Sequence, residues 1–235
     1  MTLRLLPAPP ERAVGGTNAM APTKDMRTLV VGCVPDLPLQ RLQGFLGALY
    51  ARDPMLRADV VHLHSREQLR RLRAGDLDVG LVHSADGDGI VAHRLFAGES
   101  LVAFVPVGHR LAAAGALTAT DLAGELAVLI RRDVDEALHD RLRGLAAGRG
   151  FRDVVEPPGG DGRDLLMAVA DGRGIGLAPA SAIETAGAMG DLVTAHPLDP
   201  PLQMPDTLVA WRDPPSTAHA VAVVREAVRD LATHD

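Results

Sequence analysis

Residues Asp164 to Pro179 read DLLMAVADGRGIGLAP, an apolar helix that runs into a glycine cluster and leaves it as a short apolar strand ending at proline. The order decides the reading. A dinucleotide-binding fingerprint needs strand, glycines and then helix, so that a pyrophosphate meets a helix N-terminus. Here the helix comes first. Gly172 and Gly174 stand where a left-handed C-cap wants glycine, and Ile175 to Ala178 then enter a sheet. The Gly-x-Gly-x-Gly is therefore a helix-to-strand connection and not a phosphate cradle.

The same alternation of short apolar strands and amphipathic helices runs outward in both directions. Leu29 to Cys33 is a buried-strand run, and Pro35-Asp36-Leu37-Pro38 turns it into a helix from Leu39 to Arg52, stopped by Asp53-Pro54. Val60 to His64 is the next strand. Ser65 stands where an N-cap belongs, with Gln68 three residues on as capping-box partner, and the helix Arg66 to Ala74 ends at Gly75. Val79 to Val82 completes a βαβαβ unit. Ile90 to Phe96 and Ser100 to Pro106 read as two further strands, after which the character changes at Gly108-His109-Arg110-Leu111.

Beyond that point the alternation restarts. It gives a helical turn at Asp121, a strand Leu126 to Ile130, a helix Asp135 to Ala147 and a brief strand at Val154-Val155. After the glycine cluster come a helical stretch near Ser181 to Ala188, a strand Leu192 to His196, a Pro-rich crossing from Pro197 to Pro205 and a strand Thr207 to Trp211. Thr217 caps a last helix with Val221, Val224, Val228 and Leu231 on one face. The pattern predicts an unstructured leader over 1–27, a first lobe over 28–106 plus 204–235, and a second lobe over 107–203, with the first crossing at Gly108 to Leu111.

Composition narrows the function classes. The 235 residues carry a formal charge of −6, the wrong sign for an autonomous nucleic-acid binder. Aromatic residues make up only 3%, so stacking platforms are not expected. Cys33 is the only cysteine, which leaves no internal disulfide or multi-cysteine zinc site and points to the cytoplasm. No apolar run is long enough to span a bilayer, and Leu3 to Leu6 is too short for a signal peptide. No cofactor motif, Walker sequence or Gly-x-Ser-x-Gly elbow is present, and Cys33 lies in an apolar run that disfavours a thiolate.

As written, Met167 to Pro179 resembles the helix-to-strand signature of LysR-type effector-binding domains. So do Leu29-Val-Val-Gly32, the helix ending at Asp53-Pro54, Leu72-Arg-Ala-Gly-Asp-Leu-Asp-Val-Gly80, Val105-Pro-Val-Gly-His-Arg-Leu-Ala112 and Asp121-Leu122. In that order they cover residues 28 to about 232. The resemblance implies an α/β, two-lobed fold of the type II periplasmic-binding-protein kind, with two crossings between lobes. It also implies a small-molecule effector and a homodimer formed through sheet-edge and helix contacts of the first lobe. Residues 1–27 are too few for the winged helix-turn-helix and linker helix of a complete regulator, so direct operator binding is not carried over.

In this architecture the ligand lies where strand C-termini and helix N-termini converge. The candidates are Pro35 and Asp36 in the first loop, His64 and Ser65 in the second, and His83 and Ser84 in the third. The second lobe offers Arg131 and Arg132, Gly160 and Asp161 before a helix, and Pro179 after the glycine cluster. Helix N–H groups and an arginine favour a small acidic metabolite. The plainer reading of Arg131 and Arg132 is a solvated pair beside Asp133 and Asp135. Asp36 would repel an anion, so it either turns away from one or reads an amine or hydroxyl.

His62, His64 and His83 could form a metal trio only with an acidic or thiolate ligand that the spacing does not supply, and no metal is expected. Asp86-Gly-Asp-Gly-Ile90 imitates the centre of a calcium loop, but Leu95 stands where the bidentate glutamate belongs. The competing functional reading is a lyase- or cyclase-like enzyme that uses His64, His83 or Asp36 as acid or base. A transporter's solute-binding protein conflicts with the missing export signal.

Overall fold

The computed structural model describes residues 27–85, 87–188, 191–215 and 217–232, so the expected leader over 1–27 lies almost wholly outside the described residues. Arg27 already belongs to the first strand. The chain alternates as the sequence pattern demands: β1 (Arg27–Cys33), α1 (Leu39–Arg52), β2 (Leu56–His62), α2 (Ser65–Ala74), β3 (Val79–Val82), β4 (Ile90–Phe96) and β5 (Ser100–Pro106). There follow β6 (Leu117–Thr118), α3 (Ala119–Leu122), β7 (Leu126–Val128), α4 (Glu136–Gly148), β8 (Asp153–Val155), α5 (Gly162–Ala170) and β9 (Ile175–Pro179). α6 (Ala182–Ala188), β10 (Val193–Gln203), β11 (Thr207–Arg212) and α7 (Ala218–Ala232) complete the order.

Two sheets form. The first has strand order β2-β1-β3-β11-β4, with β1 parallel to both neighbours and β11 antiparallel to β3 and β4. The second runs β6-β10-β5-β9-β7-β8. Each sheet is covered on both faces, as the continuous apolar character of strands such as β3 requires. In the first lobe α1 and α7 pack Phe45, Leu49, Val221 and Val224 onto Leu29, Val31 and Trp211, while α2 lays Leu69 and Leu72 on the opposite face. In the second, Leu138 and Leu142 of α4 cover one face and Leu165 to Val169 of α5 the other.

The glycine cluster does three separate things. Gly172 takes φ +74°, its N–H donates to Val169 O, and the Arg173 N–H reaches back to Ala168 O, a Schellman stop for α5. Gly174 lets the chain pass under β7, where a Cβ would stand 2.5 Å from Leu126 O. Gly176 has no side chain because Leu165 and Val169 of α5 press on it.

Three expectations are corrected. The first crossing is not at Gly108 to Leu111 but at Ala97 to Glu99, because β5 hydrogen-bonds to β9 and β10 in the second sheet. The turn at Gly108 lies within the second lobe. The Pro-rich stretch is not a crossing along its whole length: β10 continues to Gln203 beside β5, with an irregularity between Pro197 and Leu202 where the missing N–H groups are tolerated. β2 begins at Leu56, earlier than expected, since Leu56 pairs with Arg27 at the very start of β1.

The lobes join where residues 97–99 and 204–206 run side by side. Met204 N–H donates to Glu99 O at 2.7 Å, Gly98 N–H to Asp206 Oδ1 at 2.9 Å, and Ser181 N–H to Glu99 Oε2 at 3.0 Å. A Cβ on Gly98 would overlap the Met204 carbonyl oxygen. Gly98→Ala is expected to destabilise the protein by at least the ~1–3 kcal/mol typical of overpacking. Gly44→Ala, on an exposed position of α1 with open space around it, should instead stabilise by up to about 1 kcal/mol. Urea denaturation of both variants checks the contrast.

Candidate functional site

The C-terminal ends of β1, β2 and β3 converge at the edge of the first lobe, each followed by a loop or helix start. Asp36 follows β1, and His83 follows β3. His83 Nε2 donates to both carboxylate oxygens of Asp36, at 3.0 and 2.9 Å. Burial pushes the Asp36 carboxyl up, but the hydrogen bond and charge of His83 outweigh it and hold the group below its ordinary value. Burial likewise disfavours the His83 imidazolium, and the hydrogen bond and charge of Asp36, the charge of Asp135 and a hydrogen bond to the Asp206 backbone carry it above its ordinary value. His64 is lowered, chiefly by burial, with Asp135 and Asp36 pulling the other way. Cys33, beneath this loop, has its thiol pushed up to about 12 by burial and by Asp36, so it supplies no nucleophile.

His64 occupies the N-cap position of α2, and its side chain makes no cap bond. Ser65 is the first helical residue and not the cap. It is fully buried, and its Oγ accepts the backbone N–H of His83 at 3.1 Å. Gln68 is not a capping-box partner either: its Nε2 donates to Leu63 O and Leu81 O, stapling the loop before α2 to β3. Gly32 and Gly80 leave the space that Gln68 fills, since a Cβ on either would crowd its Oε1. Pro35 is exposed and Ser84 half-buried at the same edge.

Across the hinge, the arginines are committed elsewhere. Arg131 forms an ion pair with Asp133 and donates to Pro158 O, while Arg132 pairs with Glu136 and Asp140. All of these partners are exposed, so the solvated reading holds for the pair, with Asp133 but not Asp135 as partner. Asp161 caps α5 in a reciprocal box with Asp164. Gly160 lies against Val134, and Pro179 ends β9 facing Asp36 and His83. The crevice that Asp36, His83, Arg41, Glu99, Pro179 and Met204 line there encloses about 10 Å³, room for a single water.

One functional group escaped the sequence reading. Asp135 caps α4 by accepting Leu138 N–H at 3.1 Å, and it is only 2% exposed. The cap role is legible from an aspartate ahead of an apolar helix. That its charge reaches His64 and His83 on the other lobe is not.

Among the described residues no three His, Cys, Asp or Glu side chains gather as metal ligands. His62 is exposed at the end of β2. Asp86 of the calcium-like loop lies outside the described residues. A larger concavity of about 340 Å³ opens at the opposite ends of the second-lobe strands, between His109, Glu125, Arg152 and Arg173. It collects no deeply buried titratable group, and the candidate site is therefore the interlobe edge.

The Asp36–His83 pair gives a pH signature. His83 binds its proton more tightly folded than unfolded, so its share of stability is whole below 6.5 and fades as pH rises through its folded value. Asp36 contributes fully above 3.8 and loses that share as pH falls through its lowered folded value. The gap in urea-denaturation stability between wild type and Asp36→Asn should be widest between those two values and narrow on the alkaline side. A gap that stays constant through neutral and alkaline pH contradicts the pairing.

Two doubly covered α/β lobes, joined by two adjacent crossings and meeting at strand C-termini, define a two-lobed ligand-binding fold of the periplasmic-binding-protein kind. The chain belongs to the LysR substrate-binding domain family, which it matches over residues 23–233. It is 28% identical over 154 residues to the uncharacterized HTH-type transcriptional regulator YnfL of Escherichia coli, covering 65% of this chain and 52% of that protein. It is 35% identical over 99 residues to the Hca operon transcriptional activator HcaR of E. coli, covering 42% of this chain and 33% of the activator. The chain thus spans about half the length, or less, of these curated relatives.

Solved structures share the fold. The BenM effector-binding domain with benzoate superposes with a TM-score of 0.68 at 21% identity, over 88% of this chain and 92% of that one. The reduced OxyR regulatory domain of Pseudomonas aeruginosa gives 0.65 at 17% identity, over 86% and 96%.

Proposed function

We propose that the interlobe edge is the effector site of a ligand-sensing module acting in transcriptional regulation. The observation that carries this is an asymmetry between the lobes. α1 and α2 on the first lobe begin without any side-chain cap, at Pro38 and His64. α4 and α5 on the second begin with the aspartate caps Asp135 and Asp161. Uncapped helix N–H groups are a ready site for a carboxylate. They stand beside His64 and the His83 ring, so the first lobe takes the effector's anionic end. The BenM domain, a structural neighbour, binds benzoate, itself a carboxylate. With so little room at the hinge, the effector enters as the lobes part and is held as they close.

The expected binding residues keep unequal shares in this reading. Asp36, His64, Ser65 and His83 form the centre, with Pro35, Ser84 and Pro179 at its margin. Gly160 and Asp161 present the opposing helix, and Arg131 and Arg132 join only by leaving their surface partners. The lyase- or cyclase-like alternative draws no support from these relatives, which are regulators. The chain acts in the cytoplasm in this account, and no helix among the described residues is long and apolar enough to cross a membrane.

A second copy is the natural partner. β2 is an edge strand of the first sheet, and Leu39 and Tyr50 on α1 and Met55 immediately before β2 are exposed. Light scattering after size exclusion should give twice the chain mass at micromolar concentration, and a monomer throughout that range contradicts the dimer.

The effector site is tested by a thermal-shift screen of small carboxylates, followed by titration of His64→Asp. That substitution caps α2 with a carboxylate, so it should retain the fold and weaken an anionic effector at least tenfold. Unchanged affinity contradicts the site.

A further inference from the structure

At the end of the second lobe away from the interlobe edge, four strands of one sheet come together. β9, β7 and β8 start side by side, since β7 runs parallel to both neighbours, and β5, antiparallel to β9, ends next to them. Arg173 leads into β9, Glu125 into β7 and Arg152 into β8, and the Arg152 N–H donates to Glu125 O at 2.8 Å. The two arginines thus flank Glu125 at two strand spacings, ~10 Å. Both line the concavity of about 340 Å³ that opens there. Glu125 is the one carboxylate on its wall, and that charge is already met: Arg110 Nη2 stands 2.8 Å and His109 Nε2 3.6 Å from its oxygens. Arg152 and Arg173 are exposed, and among the described residues their side chains form no hydrogen bond or ion pair. Asp153 and Asp171, close to them in sequence, do not line the concavity. Gly108, Gly124 and Gly172 border it, and nothing lies within 4 Å of where each would carry a Cβ, so the space stays open.

We propose that this concavity is a second ligand site, for a small polyol or sugar phosphate. Two guanidiniums whose charge nothing on the wall cancels match a phosphate monoester, which carries nearly two negative charges at neutral pH and accepts paired N–H bonds from each. A monocarboxylate brings one charge to two arginines, so the acids proposed for the interlobe edge are not its ligands. The volume exceeds that of a phosphate group and falls in the range of small-molecule pockets, ~300–1,000 Å³, so the phosphate arrives on a carrier. Pro106 and Leu126 are the apolar side chains of the wall, and no Phe, Tyr or Trp lines it. A nucleobase would find little to stack on, whereas a hydroxylated carrier suits the exposed peptide groups of the glycines. The site is built from the second lobe alone, so it stands independently of the interlobe reading and at any angle between the lobes.

Isothermal titration of the full chain at about pH 8, where the ester is fully charged, tests the site with glycerol 3-phosphate, inorganic phosphate and glycerol. Glycerol 3-phosphate should bind with a Kd below about 1 mM, inorganic phosphate more weakly, and glycerol not at all. Arg152→Gln and Arg173→Gln keep the side-chain length at exposed positions and remove the charge. Each should leave the urea-denaturation midpoint in place and weaken glycerol 3-phosphate at least about tenfold, the scale of a lost charge-assisted pair. His64→Asp, at the interlobe edge, should change that affinity by less than about twofold. Unchanged affinity in either arginine variant, or no binding of either phosphate at about 10 mM, overturns the site. An equal loss in His64→Asp overturns it too, by placing the phosphate between the lobes, and inorganic phosphate binding more tightly than the ester overturns the polyol carrier.

Discussion

Two backbone segments must lie against each other for this molecule to have a cleft at all. Residues 97–99 and 204–206 cross between the sheets side by side, and Gly98 is stacked so closely on the Met204 carbonyl that no side chain fits. From that contact follows the placing of everything else. β5 and β10 leave the crossings in the second sheet, β4 and β11 in the first, and the C-terminal ends of β1, β2 and β3 come to face α4 and α5. Glu99 reinforces the junction by accepting the Ser181 N–H just beyond β9. Among the described residues these two short segments are the only covalent links between the lobes, which leaves their relative angle as the soft coordinate of the fold.

The site inherits a polarity from the ways its helices begin. α1 and α2 begin without a side-chain cap, whereas α4 and α5 begin at Asp135 and Asp161. The Asp36–His83 pair ties the loops after β1 and β3 together, and Ser65 and Gln68 fasten the surrounding backbone, so the proposed site is ordered before a ligand arrives. The regulatory role proposed for the chain needs no chemistry beyond binding and closure.

Features governed by neighbours in sequence were legible before the fold was known. The stop of α5 at Gly172 follows from local capping rules, and the ion pair of Arg131 from Asp133 two residues on. Features governed by distant partners were not. Ser65 and Gln68 form a fair capping box on paper, yet their hydrogen bonds go to His83 and Leu81 because burial removes water as a competitor. β5 reads as a strand from its apolar run, but nothing in that run says which sheet it joins; its partners β9 and β10 lie some 70 to 100 residues further on. Asp135 is recognisable as a helix cap, and only the closure of the chain brings its charge to bear on the histidines of the other lobe.

A crystal structure of the chain with an acid that stabilises it tests the account most directly. The account places the ligand between the start of α2 and the Asp135 cap of α4, its carboxylate at the His64–Ser65 turn, with the Asp36–His83 pair intact. A ligand found instead in the concavity beside Arg152 and Arg173, or on the outer face of either lobe, contradicts it.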